Sequence, residues 1–284
     1  FVEEVDGSAI HYSQEITIDK RIAKTGLHTQ VLVPVSTMYL ISISSVRFLG
    51  VGDEQEITIK EAEHASFQPH VTELLPLKNK LNVKTLFSNN PLASRVFNSI
   101  DTFNSLQTQI FYQAFHTNNS ILLCAPTSAG KTVIAELALT KMLNEGNIAK
   151  ALYLAPLKSI IHERLKDWTK KFDNQIAQLA NDNSTDIEKI KKARIIISTP
   201  ERWDTLSRSN KVTPLLKTIS LLVLDELHLL GTDRGHIIEA VTVRMKYITP
   251  NIRIIGLSNT VSNPLDIAQF IDVSYRSVFN FNIK

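Results

Sequence analysis

Apolar and polar residues alternate differently in the two ends of the chain. From Phe1 to Lys60, short stretches alternate with a period of two, and turn residues such as Gly50 and Asp53 separate them. This pattern is typical of half-buried antiparallel strands. The strands are too few for a closed sandwich, so we expect residues 1–62 to form part of a small β domain. The clearest stretches are Glu15–Asp19, Thr29–Pro34, Met38–Ile43 and Glu56–Lys60.

The next stretch, residues 63–100, has no sustained periodicity. It contains Pro69, Pro76 and Pro91. Proline fixes φ and removes a backbone donor, and it therefore interrupts regular elements. We interpret this stretch as a connecting arm with one short helix.

From Asp101 onward, continuous apolar runs alternate with amphipathic stretches. The clearest helical stretches are Thr132–Leu143 and Ser159–Phe172. Apolar strands that alternate with helices indicate a parallel sheet covered on both faces, so residues 101–284 are predicted to have an α/β fold. The candidate strands are Ser120–Ala125, Lys150–Ala155, Arg194–Ser198, Ser220–Leu224 and Arg253–Leu257.

Composition excludes several classes of protein. With 43% apolar and 21% charged residues, the chain is globular rather than disordered. No apolar run approaches the roughly 18–20 residues that span a bilayer. The single cysteine, Cys124, rules out a disulfide within the chain and a cysteine-based zinc cluster, and it favours a reducing compartment, nucleus or cytoplasm. We expect Cys124 to pack as a small buried side chain.

Charge and the first residue add two weaker expectations. The formal net charge of +3 permits a polyanionic partner without requiring one. No signal-peptide pattern follows Phe1. Because that residue is not Met, we interpret the chain as an interior piece of a longer protein.

A phosphate-binding loop follows the first strand of the predicted sheet. Ala125–Thr132 reads Ala-Pro-Thr-Ser-Ala-Gly-Lys-Thr, which fits the pattern except that Ala125 stands where glycine is usual. Backbone N–H groups of such a loop cradle phosphates, and the helix that follows directs its positive end at the anion. The predicted nucleotide-binding residues are therefore Thr127, Ser128, Ala129, Gly130, Lys131 and Thr132, with Lys131 on the β- and γ-phosphates and Thr132 on magnesium.

An acidic motif ends another apolar strand. Asp225 and Glu226 follow Leu221-Leu-Val-Leu. In a nucleotide hydrolase Asp225 would hold Mg²⁺ through water, and Glu226 would orient and deprotonate the attacking water. We predict Glu226, Asp225 and Lys131 as the catalytic residues.

The phosphate loop and the motif Asp225-Glu-Leu-His228 together resemble the superfamily-two helicases, specifically the Ski-type group. The resemblance implies a RecA-like domain that uses ATP and Mg²⁺. It also implies that Gln107 bonds the edge of the adenine base. His228, with Ser258 and Thr260, would couple the nucleotide site to movement.

Two further segments, Ala155–Lys158 and Ser198–Arg202, resemble the strand-binding motifs of the same group. In both, backbone amides and hydroxyls at strand ends would grip the phosphates of a single strand without reading its sequence. The family implies RNA as that strand, although the residues themselves do not separate RNA from DNA. The contacts would come from Pro156, Lys158, Thr199, Pro200, Glu201 and Arg202.

Other segments resemble the second cassette of the tandem-cassette helicases: Thr72–Leu75, Phe103–Phe111, Arg164–Trp168 and Phe279–Phe281. That group includes spliceosomal helicases and helicases of the activating-signal-cointegrator and ribosome-rescue type, and the residues leave both open. The resemblance implies that residues 1–62 end an immunoglobulin-like domain of the preceding cassette. Residues 101–284 would then be a first RecA-like domain. Its partners would be the rest of the helicase chain and a ribonucleoprotein or ribosome-rescue complex, with no membrane.

The sequence departs from this group at three places. The motif usually read as Ser-Ala-Thr is Ser258-Asn259-Thr260, Ala180-Asn181 replaces Thr-Gly, and His236 stands where relatives tend to have proline. Of these, Asn259 bears on whether hydrolysis is coupled to movement.

Two functions remain open. The first is half of an ATP-driven helicase, completed by a second RecA-like domain that supplies an arginine finger, so that the 284 residues alone would be inactive. The alternative is a catalytically weak cassette that serves as a nucleotide-stabilised docking and regulatory platform.

Overall fold

The computed structural model describes residues 2–4, 10–13, 38–46, 51–58, 70–76, 80–146, 148–173, 175–179, 184–209 and 212–281. The chain divides into two compact units, Phe1–Gln68 and Pro69–Lys284. Within the described residues, no helix has the length and apolar character needed to cross a membrane.

The first unit contains an antiparallel sheet in the order β2-β1-β3-β4. Two of the predicted strands fall in this sheet: Met38–Ile43 lies within β3, and Glu56–Lys60 overlaps the end of β4. The predicted strands Glu15–Asp19 and Thr29–Pro34 lie outside the described residues. The strands are β1 (Val2–Glu4), β2 (Ile10–Tyr12), β3 (Met38–Ser44) and β4 (Gly52–Thr58).

The second unit is built on a parallel sheet in the order β11-β5-β10-β9-β6-β8-β7. The predicted α/β fold of this part of the chain is confirmed. All five predicted strands are present. Two more, β7 and β11, are only three residues long, too short for a recognisable apolar run. The strands are β5 (Ile121–Cys124), β6 (Lys150–Leu154), β7 (Ile176–Gln178), β8 (Ile195–Ser198), β9 (Ile219–Leu224), β10 (Arg253–Ser258) and β11 (Val278–Asn280).

Ten α-helices accompany these strands in the described residues. Several begin with a side-chain cap: Asn104 and Gln107 form a reciprocal capping box at the start of α3, and Thr199 caps α7. The helices are α1 (Val83–Leu86), α2 (Pro91–Val96), α3 (Ser105–His116), α4 (Lys131–Asn144), α5 (Lys158–Lys171), α6 (Ser184–Lys192), α7 (Pro200–Ser207), α8 (Thr213–Leu216), α9 (Gly235–Ile248) and α10 (Pro264–Phe270).

The expectation of one short helix in residues 63–100 is wrong, because the structure has two, α1 and α2. Both are shorter than two turns, so a helical period cannot show in the sequence. Each instead begins with an asparagine cap, Asn82 or Asn90. Their buried side chains, Val83 and Val96 among them, pack in the same core as the parallel sheet.

Two hydrophobic cores cover the two faces of the parallel sheet. Successive residues of a strand point to opposite faces. Accordingly Leu123 packs in one core and its neighbours Leu122 and Cys124 pack in the other. Burial raises the pKa of the Cys124 thiol to about 12, so it stays protonated and packs as the small apolar side chain that we predicted.

Candidate nucleotide and nucleic-acid site

The phosphate loop connects β5 to α4 at the carboxyl edge of the parallel sheet. Two of its residues have positive φ, Ser128 at 69° and Gly130 at 85°. Glycine adopts positive φ readily, and a Cβ atom on Gly130 would lie 2.3 Å from Nε2 of Gln107, so a larger residue would also displace that side chain. Thr127 and Ser128 are exposed on the loop, whereas Ala129, Gly130, Lys131 and Thr132 are half-buried and lead into α4.

Gln107 lies directly against this loop. Its Nε2 atom donates to the Gly130 carbonyl at 3.3 Å, and its Oε1 atom accepts the backbone N–H of Asn104 at 3.0 Å. Asn104 itself donates to the Ala129 carbonyl at 3.0 Å. The start of α3 therefore braces the phosphate loop. The predicted role of Gln107 in reading adenine stays a prediction.

Lys131 is the first residue of α4, and its ammonium group has three acceptors. Nζ donates to the carbonyls of Ala125 (2.8 Å) and Pro126 (3.2 Å) and to Oδ1 of Asn259 (2.9 Å). Burial lowers the pKa of Lys131, and the negative charges of Glu226 and Asp225 partly oppose that effect. The same interactions show that Lys131 and the acidic motif lie within electrostatic reach of each other.

The acidic motif lies at the end of β9, two strands from β5 in the sheet. The backbone N–H of Asp225 donates to the Leu154 carbonyl at 2.9 Å, and Oδ1 of its carboxylate accepts the N–H of Glu226 at 2.9 Å. The hydroxyl of Tyr153 on β6 donates to the other carboxylate oxygen, Oδ2. Burial and the adjacent Asp225 charge hold the pKa of Tyr153 well above its usual value, so it remains a donor.

Sequence reasoning missed Tyr153. The available signal was a tyrosine in an otherwise aliphatic strand, Lys150-Ala-Leu-Tyr-Leu154, since a buried tyrosine hydroxyl needs a polar partner.

The residues predicted to couple the nucleotide site to movement are His228, Ser258 and Thr260, and only some of them lie near the site. Nδ1 of His228 is 3.3 Å from Oε2 of Glu226, and Nε2 of His228 is 3.4 Å from Nδ2 of Asn259. Ser258 is buried at the end of β10, paired in register with Cys124, and Thr260 is exposed. The link between His228 and this loop is therefore Asn259, which the sequence showed only as a departure from the family pattern.

The two candidate strand-binding segments follow the neighbouring strands β6 and β8. After β6, Pro156 is buried, and Lys158 is exposed at the first position of α5. After β8, the Oγ1 atom of Thr199 accepts the backbone N–H of Arg202 at 3.4 Å, and Pro200 begins α7. Glu201 and Arg202 are half-buried on the first turn of that helix.

Arg234 connects these two segments. Its Nη1 atom donates to the Pro156 carbonyl at 2.9 Å, and its Nε atom lies 3.9 Å from Oε1 of Glu201. Sequence reasoning gave Arg234 no role. Its partners lie far away in sequence, 78 positions in the case of Pro156, so no local pattern could have shown them.

The residues present fit ATP and magnesium. The Gly130 backbone leaves space that a side chain would fill, and Lys131 and the start of α4 bring positive charge to it. Among the described residues, no group of three or more His, Cys, Asp or Glu side chains could hold a metal by itself. Mg²⁺ is usually held by one or two protein ligands together with substrate phosphates. Thr132 and Asp225 are the residues that would hold it.

A parallel sheet with a phosphate loop and an Asp-Glu motif at its carboxyl edge defines a nucleotide-binding domain of the RecA-like type. The model of the DEAD/DEAH box helicase family matches residues 104–267, and the chain belongs to this family. The resemblance to helicases drawn from its motifs is thereby confirmed.

The curated proteins that this chain resembles also include helicases. The chain is 32% identical over 301 aligned positions to activating signal cointegrator 1 complex subunit 3 of Danio rerio, covering 99% of this chain and 19% of that protein. The Homo sapiens protein of the same name is 35% identical over 256 positions, covering 87% of this chain and 11% of that protein. The DExH-box ATP-dependent RNA helicase DExH13 of Arabidopsis thaliana is 33% identical over 294 positions, covering 99% of this chain and 13% of that protein. The chain thus spans less than a fifth of the length of these relatives.

Solved structures share the fold. DEAD-box helicase Mss116 bound to ssRNA and UDP-BeF matches 73% of this chain and 46% of its own, with a TM-score of 0.62 and 15% identity. DUF1998 helicase MrfA bound to DNA matches 76% of this chain and 29% of its own, with a TM-score of 0.54 and 20% identity. At these identities the likeness shows the RecA-like helicase fold alone.

Proposed function

We propose that this chain is the ATP-binding RecA-like domain of an ATP-dependent RNA helicase, which couples ATP hydrolysis to movement along a single strand together with a second RecA-like domain. The observation that carries the proposal is that Lys131 of the phosphate loop and the motif Asp225-Glu226 lie at one sheet edge, linked by the contacts of Asn259 with Lys131 and with His228. This arrangement supports one shared site for binding phosphate and for activating water.

Each residue of the site has a role in this proposal. The backbone from Thr127 to Thr132 cradles the phosphates, and Lys131 neutralises charge on the β- and γ-phosphates. Glu226 accepts the proton of the attacking water, while Tyr153 and the Glu226 backbone N–H hold the Asp225 carboxylate in place. Magnesium, held by Thr132 and Asp225, would neutralise charge that develops on the transferred phosphoryl group.

The nucleic-acid strand would cross the ends of β6 and β8. Exposed Lys158 and half-buried Thr199 and Arg202 offer donors to phosphates. Several relatives carry "RNA helicase" or "complex subunit" in their names, so we propose RNA as the strand and a larger nuclear or cytoplasmic assembly as the partner.

The alternative, a nucleotide-stabilised docking platform, also has an observation in its favour. Asn259 engages Lys131 at 2.9 Å, and a lysine held by the protein has fewer donors free for phosphate. The two functions differ in whether nucleic acid accelerates hydrolysis.

The experiment measures Mg²⁺-dependent ATP binding by the 284-residue chain, and RNA-stimulated hydrolysis by a longer chain that includes a second RecA-like domain. The variants are Lys131→Ala and Glu226→Gln. A matched control is Lys141→Ala, on the same helix but paired only with Glu145 at the surface. We expect Lys131→Ala to weaken ATP binding by about 100-fold, and Glu226→Gln to retain binding and lose turnover.

Two other results would count against this proposal. Equal ATP binding by the wild type and Lys131→Ala would contradict a nucleotide site. ATP binding with hydrolysis that RNA does not accelerate would favour the docking platform.

A further inference from the structure

Asn259 lies where the helicases that this chain resembles usually have alanine, and the proposed function gives it no role. We propose that Asn259 is a positioning residue that joins Lys131 to His228 and, through His228, to Glu226, and that releases Lys131 when phosphate binds. This inference rests on the proposed function, because it assigns Lys131 to phosphate and Glu226 to water.

The orientation of the Asn259 carboxamide follows from what its neighbours can do. A lysine ammonium only donates hydrogen bonds, so the Asn259 atom 2.9 Å from Nζ of Lys131 must be the carbonyl oxygen. The amino group, Nδ2, is then the atom 3.4 Å from Nε2 of His228. Asn259 accepts from the phosphate loop and donates to the acidic motif.

The tautomer of His228 follows in turn. Since Nδ2 of Asn259 donates, Nε2 of His228 must accept, and a neutral ring carries its proton on Nδ1. That proton is directed at Oε2 of Glu226, 3.3 Å from Nδ1. The backbone N–H of Asn259 donates to Nδ1 at 3.5 Å only in the other tautomer. The Glu226 oxygen 3.3 Å from Nδ1 favours the Nδ1–H form, because the other tautomer would set the Nδ1 lone pair against the carboxylate.

The result is a chain of three polar contacts that runs from Lys131 through Asn259 and His228 to Glu226. It joins residues from the start of α4, the end of β10 and the end of β9, which the sheet order brings together. An alanine at position 259 cannot take part in such a chain.

Phosphate competes with one member of this chain. Of the three acceptors on Lys131, the Ala125 and Pro126 carbonyls belong to the phosphate loop, and Asn259 alone is a side chain that can rotate away. A phosphate that takes a donor from Lys131 therefore displaces Asn259 first. His228 then loses the donor Nδ2 of Asn259, so its contact with Glu226 changes when phosphate binds Lys131.

Two measurements on the 284-residue chain test this link: the affinity for Mg²⁺·ATP by calorimetry, and the ¹⁵N shifts of the His228 ring without nucleotide, at a pH where the ring is neutral. The variant is Asn259→Ala. The control is Asn263→Ala, which removes the same side chain from the same loop, where it contacts only exposed Asp266, at 3.4 Å. A His228→Gln sample identifies the ring signals.

We expect Asn259→Ala to bind ATP about fivefold more tightly, because Lys131 loses a competing acceptor. We also expect His228 to be the Nδ1–H tautomer in the wild type and in Asn263→Ala, and to shift towards Nε2–H in Asn259→Ala. A role for Asn259 in loop structure alone would lower the unfolding midpoint without moving the tautomer. If Asn259→Ala does not fold, Asn259→Ser is expected to give the same two shifts.

Unchanged or weaker ATP binding by Asn259→Ala, or an unchanged His228 tautomer, would overturn this inference. Failure of the proposed function looks different, because the wild type would then not bind ATP, or Lys131→Ala would bind it equally well.

Discussion

The carboxyl edge of the parallel sheet has two halves that are held in different ways. In the nucleotide half, after β5, β9 and β10, functional side chains contact one another: Lys131 with Asn259, and His228 with Glu226. In the strand half, after β6 and β8, Lys158 is exposed, and the described contacts that hold the loops are largely to backbone atoms, such as the one from Arg234 to Pro156.

The difference matches the chemistry that each half would perform. Transfer of a phosphoryl group requires groups fixed in advance within a fraction of an ångström, because the catalytic effect comes from preorganised charge. Binding a strand without reading its sequence requires only donors at roughly the spacing of the phosphates. One sheet can therefore carry a rigid nucleotide half and a more adaptable strand half.

One buried cluster supports both halves. Glu136 on α4, which begins at Lys131, accepts hydrogen bonds from Trp168 Nε1 and Lys171 Nζ on α5, each at 2.8 Å. The α5 helix begins at Lys158, in the strand half. The cluster thus ties the helix that follows the phosphate loop to the helix that follows the first strand-binding segment.

The largest effect is expected from breaking the nucleotide half alone with Gly130→Ala. The new Cβ lies 2.3 Å from Nε2 of Gln107 and would displace that side chain from the loop, and alanine at φ 85° is strained. We expect ATP affinity to fall by about 100-fold, with RNA affinity unchanged, measured by calorimetry and by RNA anisotropy. Gly146→Ala is the control, since Gly146 also has positive φ, 68°, but nothing lies within 4 Å of its added Cβ. Equal losses in both variants would point to backbone strain alone.

We expect the buried cluster around Glu136 to stabilise both halves of the edge. Lys171→Ala leaves the buried Glu136 carboxylate without its ion-pair partner, which we expect to cost about 3 kcal/mol of unfolding free energy at neutral pH. The exposed neighbour in Lys170→Ala provides the control. Burial already raises the pKa of Glu136 in the folded protein, so at low pH the carboxyl is protonated and the loss should shrink. Denaturant unfolding at several pH values measures this, and a loss that persists unchanged in acid would contradict it.

A substitution of Arg234 should affect the strand half and leave the nucleotide half unchanged. Arg234→Lys keeps the positive charge but cannot reach both the Pro156 carbonyl and Glu201 with one planar group. We expect RNA affinity to fall by about fivefold, while ATP affinity stays the same. Arg276→Lys, at an exposed position just before β11, is the control. A change in ATP affinity instead of RNA affinity would place Arg234 in the nucleotide half.

The sequence predicted the parts of this edge that depend on local structure. Strands β5, β6, β8, β9 and β10 are continuous apolar runs because both their faces are buried, and Gly130 stands beside Lys131 because the loop backbone requires it. What it did not show are contacts set by the order of strands. Lys131 and Asn259 are 128 positions apart, and Tyr153 and Asp225 are 72 apart. Those partners meet only once the sheet is assembled.

The smallest expected effect concerns the packing of α7 on α9 beneath the strand half. Asp204 accepts hydrogen bonds from Arg244 at 2.8 Å and from Arg208 at 3.0 Å. Burial on its own would raise the pKa of Asp204, but these hydrogen bonds and charges outweigh it, and the pKa is lowered from 3.8. The ionised carboxylate therefore stabilises the fold above pH 3.8, and this contribution is lost as the pH falls through the lowered pKa.

Asp204→Asn should accordingly lower the unfolding free energy by about 1 kcal/mol at pH 7, and the gap to the wild type should close as the solution is acidified. Asp266→Asn, at an exposed position that contacts only Asn263, provides the control. Because α7 also carries Thr199 at its cap, a loosened α7 should weaken RNA binding slightly and leave the ATP site unaffected. An Asp204→Asn variant that lost ATP affinity would show that the two halves are joined through the sheet itself and not only through the Glu136 cluster.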